Sequence, residues 1–141
     1  MNTSAQSQNI AEKLVLEFLS RVWGTEHDLD AIDELMTEDY VITTGGKIIK
    51  GRENFKAWVA DFQTKLTNAA TISQDIFTNH KNDMIVSRWI CSGKNNGIFG
   101  IPGDGEHVSF TGIAIWQVRG DLLSACWVER SAFELYQELI N

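Results

Sequence analysis

Few residues of this 141-residue chain have the type and spacing that catalytic or metal chemistry requires. The cysteines, Cys91 and Cys126, lie in apolar strand patterns and form no Cys-x-x-Cys pair. The histidines, His27, His80 and His107, are scattered, so the sequence contains no zinc-ligand spacing. We therefore predict no metal site, and we interpret both cysteines as reduced core thiols of a cytoplasmic protein.

The last predicted strand carries the most suggestive side chains. Alternate residues of an extended strand share a face, so Trp127, Glu129 and Ser131 are expected to point the same way. Ser131 also begins a Ser-x-x-Glu pattern with Glu134, which is typical of the capping box that opens a helix. A carboxylate in water and a helix cap are the alternatives to any chemical role for Glu129 and Ser131.

A glycine-rich segment, residues 94–105, is the other stretch with an apparent motif. It lacks the Gly-Lys-Ser/Thr ending of a phosphate-binding loop, and no helical pattern follows it. We interpret it as a mobile loop near the mouth of a cavity.

The elements that must position these residues follow from the spacing of the apolar side chains. A period of 3.6 predicts helices over residues 10–23, from Asp28 or Asp30 to Met36, and over residues 55–66. A period of two predicts strands over residues 39–44, 71–80, 84–92, 107–118 and 122–130, the last two forming a hairpin. A short helix after Ser131 ends the chain.

This order predicts an α+β fold in which helices cover one face of a curved, mostly antiparallel sheet. Residues 1–8 are predicted to be a disordered polar tail, and residues 9–141 a single domain. No apolar run approaches the ~20 residues that a membrane span needs. The net charge of −7 argues against nucleic acid or an anionic membrane as a partner.

Several short segments together resemble a known family. They are Val86-Ser-Arg-Trp89, Gly93, Phe99-Gly-Ile-Pro102, Val108-Ser-Phe-Thr-Gly-Ile113 and Trp127, preceded by residues 18–23, 29–35, 39–41 and 50–55. In this order they resemble the SnoaL-like polyketide cyclases of the nuclear-transport-factor-two-like superfamily. The resemblance implies a conical α+β barrel, with a strongly curved sheet packed against three N-terminal helices around an apolar pocket.

The resemblance also implies a chemistry, namely proton transfer next to a carbonyl that closes a ring without metal or organic cofactor. The aspartate that such proteins use as a base corresponds here to Ser131, and a usual histidine corresponds to Asn95. Glu129 is then the candidate replacement base, since a carboxylate desolvated beside Trp127 would have a raised pKa. Glu129 and Ser131 are the catalytic candidates.

Ligand-binding candidates are the side chains expected on the wall of the pocket. They are Trp58, Trp89, Phe110 and Trp127, with Tyr40, Asn95 and Gln117 as polar members. The alternative for the aromatic residues is a plain role in the core.

Three functions from different classes stay open at this point. The protein is a cofactor-free cyclase or isomerase of a small hydrophobic carbonyl compound, a non-catalytic binder of such a compound, or a dimerisation module with a filled pocket. We also expect a homodimer formed through the open face of the sheet.

Overall fold

The computed structural model describes residues 3–141, with side chains from residue 10 onward. Its helices are α1 (Thr3–Val22), α2 (Asp30–Leu35), α3 (Arg52–Lys65) and α4 (Ala132–Ile140). Its strands are β1 (Met36–Thr44), β2 (Lys47–Lys50), β3 (Leu66–Thr78), β4 (Met84–Asn95), β5 (His107–Arg119) and β6 (Leu122–Arg130). The predicted polar tail overlaps α1 from Thr3, and residues 1 and 2 lie outside the described residues.

The strands form one sheet in the order β2-β1-β6-β5-β4-β3. All neighbours are antiparallel except β1 and β6, which run parallel. The mixed α+β fold with its mostly antiparallel sheet is therefore confirmed, but the sheet is not closed: β2 and β3 are its two edges. Register shifts interrupt the β1–β6, β3–β4 and β5–β6 ladders, and such irregularities bend strands.

Several boundaries differ from those that the sequence predicted, and two of the differences have a clear local cause. The pair Gly45-Gly46 does not merely end β1: both glycines have positive φ and turn the chain back into the short strand β2, which was missed. Leu66 begins β3 instead of ending α3, because its side chain is buried against β4. There Gly93 makes room for it, since a Cβ atom at Gly93 would lie 2.8 Å from Cγ of Leu66.

The core lies between the sheet and the helices α1 and α3. Val15, Phe18 and Val22 of α1 are buried at helical spacing, and Phe55 and Val59 of α3 are buried at a spacing of four. These helices cover the face of the sheet that carries the buried residues of β4, β5 and β6.

Close packing of β4 against β5 sets the orientation of one large side chain. Trp89 and Gly112 are directly paired across the two strands, and a Cβ atom at Gly112 would overlap the Trp89 ring. A glycine is required here because only the bare backbone lets the indole lie across β5. Trp89 is thereby held on the covered face of the sheet, where it is 7% exposed.

Candidate functional site

A cavity lies between the covered face of the sheet and the helices α1 and α3. Its volume is about 50 Å³. Most of its wall is aromatic, formed by Phe18, Trp23, Tyr40, Phe55, Trp58, Phe62, Trp89, Phe110 and Trp116. An aromatic lining of this kind is typical of sites for small hydrophobic molecules.

The aromatic wall is a set of rings in mutual contact. Phe62 lies at its centre, with ring centroids 5.7 Å from Trp23, 5.8 Å from Trp58 and 6.3 Å from Phe110. Trp58 and Phe62 are four residues apart on α3, so one turn of that helix places both rings on the cavity side. Edge-to-face and stacked pairs of this kind stabilise the wall beyond simple burial and fix its shape.

Two neutral polar groups in the cavity have no partner. The Tyr40 hydroxyl on β1 and Nε1 of Trp116 on β5 are buried without a hydrogen bond of adequate geometry. The Cys126 thiol and the Trp116 indole lie near enough to Tyr40 to influence its pKa, but burial is the main cause that raises this pKa well above its usual value. Burial likewise raises the pKa of the Cys126 thiol to about 12. All these groups are therefore uncharged at neutral pH.

Arg130, at the end of β6, is the charged residue of the cavity wall. Its guanidinium carbon lies 5.3 Å from the centroid of the Trp58 ring, within the range of a cation–π interaction. Its Nε is buried without a hydrogen-bond partner, and burial lowers the pKa of the guanidinium. Aspartate, glutamate and histidine are all absent from the described lining residues, so the cavity offers this cation no counter-ion.

Four of the predicted ligand-binding residues line the cavity: Tyr40, Trp58, Trp89 and Phe110. They come from β1, α3, β4 and β5, which converge on it. Their role in binding stays a prediction, but the structure brings them together.

The expectation that Trp127 lines the cavity is corrected by the structure. The residues of β6 that line it are Cys126, Val128 and Arg130, so Trp127 lies on the opposite, outer face and is 43% exposed. Alternation along the strand then places Glu129 on the outer face as well. There it borders a shallow depression with Arg88 and Ser131, to which Arg130 also contributes.

Glu129 therefore does not have the dry surroundings beside an inward-facing tryptophan that a replacement base requires. The even-numbered residues of β6 face the cavity, whereas the prediction placed the odd-numbered ones there. Trp127, Glu129 and Ser131 therefore all lie outside the cavity. Arg130 then takes the inward position at the end of the strand, so the cavity gains a cation where a carboxylate was expected.

Ser131 occupies the N-cap position of α4 but makes no capping hydrogen bond, which corrects the predicted capping box with Glu134. Its Oγ accepts a hydrogen bond from the backbone N–H of Thr111 at 3.0 Å and another from Thr111 Oγ1 at 3.3 Å. Its own N–H donates to the carbonyl oxygen of Thr111 at 2.8 Å. Through these hydrogen bonds, Ser131 connects the start of α4 to β5.

The remaining polar candidates, Asn95 and Gln117, do not line the cavity. The Asn95 side chain is buried, and its Oδ1 accepts hydrogen bonds from the backbone N–H groups of Gly97 and Ile98, each at 3.0 Å. Its Nδ2 donates to Oδ1 of Asp104 at 3.1 Å, so Asn95 organises the glycine-rich loop. Gln117 lies exposed on the outer face of β5.

Neither metal-site geometry nor a membrane span occurs in the described part of the chain. Within it, His, Cys, Asp and Glu side chains nowhere gather in a group of three or more that could hold a metal ion. Among the same residues, each helix is too short or too polar to cross a membrane.

Arg130, Trp116 and Cys126 line the cavity but were not predicted as site residues. The local sequence gives no signal for Arg130, because Glu129 and Arg130 are both charged and either could face outward. The size of Trp127 suggested the opposite phase, because large aromatic side chains are usually assigned to the core.

Comparisons of fold and sequence place the chain among proteins of several activities. A proposed SnoaL-like polyketide cyclase from Jannaschia sp. CCS1 matches with a TM-score of 0.84 and 15% identity, over 94% of this chain and 92% of that one. AclR from Streptomyces galilaeus, a proposed hydroxylase, matches with a TM-score of 0.81 and 14% identity, over 94% and 96%. An LEH-like epoxide hydrolase from M. tuberculosis matches with a TM-score of 0.73 and 13% identity, over 94% and 91%.

At these identities the structural similarity shows the fold alone. No curated protein matched the chain in sequence. The model of the family described as SnoaL-like polyketide cyclase matches residues 13–139, nearly the full length. The chain therefore belongs to the SnoaL-like polyketide cyclase family.

Proposed function

We propose that this protein binds a small hydrophobic compound carrying a carbonyl-type oxygen in the aromatic cavity. The observation that supports this most strongly is the combination of an apolar wall with buried hydrogen-bond donors that have no partner, the Tyr40 hydroxyl and the Trp116 indole. These two donors lie close to each other and to the Cys126 thiol without a hydrogen bond of adequate geometry, and a ligand oxygen would give them a better-placed acceptor. The surrounding rings would contribute the apolar contact.

Binding without catalysis is favoured by what the cavity wall lacks. Aldol or isomerase chemistry needs a base near neutral pH, and the described lining contains no carboxylate or histidine. The Tyr40 hydroxyl and the Cys126 thiol do not replace it, because burial raises the pKa of each and keeps it protonated. Glu129 and Ser131 lie outside the cavity and form no part of the proposal.

Cyclisation or isomerisation of the bound compound is the second candidate function. The family match over residues 13–139 supports it, and the unpaired donors of the cavity could polarise a carbonyl. The base would then have to come from the substrate or from water, which makes this candidate the weaker one.

A neutral ketone, 2-acetylnaphthalene, tests the proposed binding. We expect it to quench the fluorescence of the cavity tryptophans and to bind saturably. The variant Ala114→Leu should weaken binding at least ~10-fold, because Ala114 is buried in the cavity wall and a larger side chain fills the space. The control is Ala57→Leu, the same change at an exposed position of α3. Equal binding by both variants, or no saturable binding by the parent, would contradict the proposal.

A homodimer formed through the outer face of the sheet is also proposed. Ile113, Ile115 and Trp127 are exposed there on the adjacent strands β5 and β6, and Ile115 is directly paired with Trp127. Exposed neighbours of this kind form an apolar patch, and the same patch on a second copy would cover it in a two-fold arrangement.

A cytoplasmic location is proposed from the cysteines. Cys91 and Cys126 are both free and buried, which fits a protein of a reducing compartment.

A further inference from the structure

Arg130 differs from every other arginine of the chain in having no acidic partner. The others form ion pairs: Arg21 with Glu17, Asp28 and Glu34, Arg52 with Asp33, Arg88 with Asp75, and Arg119 with Asp39. Among the side chains described, residues 10–141, no carboxylate lies within ion-pair distance of Arg130. The one arginine that lines the cavity is thus the one without an ion pair, and Glu129 acts on its pKa only at longer range.

An unmatched cation in an apolar wall is costly to the folded protein. Arg130 is half-buried, and burial removes water from its Nε in particular. Protein chemistry does not allow arginine to discharge by losing its proton. The contact with Trp58 offsets part of this cost but satisfies none of the N–H donors, and Nε stays without a partner. The charged group nearest along the chain, Glu129, lies on the outer face of the sheet and is not among the cavity-lining residues.

From this geometry we infer that the compound bound in the cavity is a planar hydrophobic carboxylate, and that Arg130 binds its carboxylate group. This inference rests on the proposed function and narrows its ligand class. A guanidinium presents paired N–H donors that match the two oxygens of a carboxylate.

The rest of the cavity complements such a ligand. Trp58 lies beside the guanidinium, and Phe62 and Phe110 continue the same apolar wall, which a planar ring system can contact. The Tyr40 hydroxyl and the Trp116 indole add neutral donors in the same cavity. Every polar group named here can donate to oxygen, and the positive charge of Arg130 favours an anionic ligand over a cationic one.

Two ligands of nearly the same shape test the inference: 2-naphthoate, which carries a carboxylate, and 2-acetylnaphthalene, which does not. We expect the parent protein to bind 2-naphthoate at least ~10-fold more tightly by titration calorimetry. The variant Arg130→Met should lose this preference, binding 2-naphthoate about 10- to 100-fold more weakly while its affinity for the ketone persists. Arg130→Lys keeps the charge and should retain part of the preference.

The matched control is Arg88→Met, which removes the same charge from the outer face, where Arg88 pairs with Asp75. The Arg88→Met variant should bind both ligands with the same affinity as the parent. A second measurement needs no variant: in the parent, the Nε–H resonance of Arg130 should move downfield on addition of 2-naphthoate, as a new hydrogen bond requires, and the ketone should cause only the smaller shift due to its ring.

Two contrary outcomes are distinguishable. If Arg130→Met binds 2-naphthoate as the parent does, or the parent prefers the ketone, the inference is overturned while cavity binding stands. If neither compound binds, the proposed function fails together with the inference.

Discussion

At the scale of single residues, the phase of one strand determines the character of the site. Tyr40, Trp58, Trp89 and Phe110 could be assigned to the cavity from the sequence, because aromatic residues on converging elements usually meet in the core. Arg130 could not be assigned to the cavity from the sequence. Its orientation depends on whether the even-numbered or the odd-numbered residues of β6 face the helices.

That choice of phase is set by packing that leaves no local trace in the sequence. Cys126 and Val128 are small enough to lie beneath α1 and α3, whereas Trp127 is accommodated on the open face. If β6 were shifted by one residue, the carboxylate of Glu129 would face the cavity in place of the guanidinium of Arg130. The sign of the charge that the cavity can bind would then be reversed.

Ser131 gives a prediction at the same scale. Replacing Ser131 by alanine removes the Oγ that accepts from the Thr111 backbone N–H, so the free energy of unfolding should fall by ~0.5–1.5 kcal/mol. Thermal unfolding should occur roughly 2–4 °C lower for each kcal/mol lost. The comparison variant Thr111→Val removes only the weaker side-chain contact and should cost less. Identical melting temperatures for Ser131→Ala and the parent would count against this role.

At the scale of elements, the sequence predicted most helices and strands but not their junctions. The alternation of apolar residues is sufficient to identify β4, β5 and β6 as strands. It says little about β2, which is four residues long and buries none of them, so its position depends on the Gly45-Gly46 turn and on pairing with β1. The start of β3 at Leu66 depends likewise on a space that Gly93 provides from a distant strand.

The β4–β5 pair gives a prediction at this scale. In Gly112→Ala, the new methyl group would overlap the Trp89 ring, so the indole or the strand must move. Overpacking of this kind typically costs ~1–3 kcal/mol, and here it also displaces a side chain of the cavity wall. We expect a lower melting temperature and an altered tryptophan emission spectrum.

A double variant separates this contact from a general effect of alanine in the strand. Adding Trp89→Leu should make Gly112→Ala much less harmful, because the group it collides with is gone. Purely additive losses in the double variant would show that the clash is not the cause.

At the scale of the whole molecule, the two faces of the sheet differ in what covers them. The covered face forms the cavity with α1 and α3, while the outer face presents Ile113, Ile115 and Trp127. The predicted α+β architecture is confirmed as an open six-stranded sheet, and the openness gives the outer face its exposed area.

The homodimer is tested at this scale by sedimentation. We expect a mass twice the 15.9 kDa of the chain at micromolar concentration, because the apolar outer face would be covered by a second copy. Trp127→Asp should shift the mass to that of one chain, whereas Phe133→Asp, a change of an exposed aromatic residue on α4, should leave it unchanged. A parent mass near 15.9 kDa would contradict the dimer.

The most direct test of cavity binding is a crystal structure of the parent protein soaked with 2-naphthoate. We predict its ring between Trp58, Phe62 and Phe110, and its carboxylate at hydrogen-bonding distance from the guanidinium of Arg130. A ligand found only on the outer face, or a cavity closed by the protein's own side chains, would contradict the claim that this cavity is the binding site.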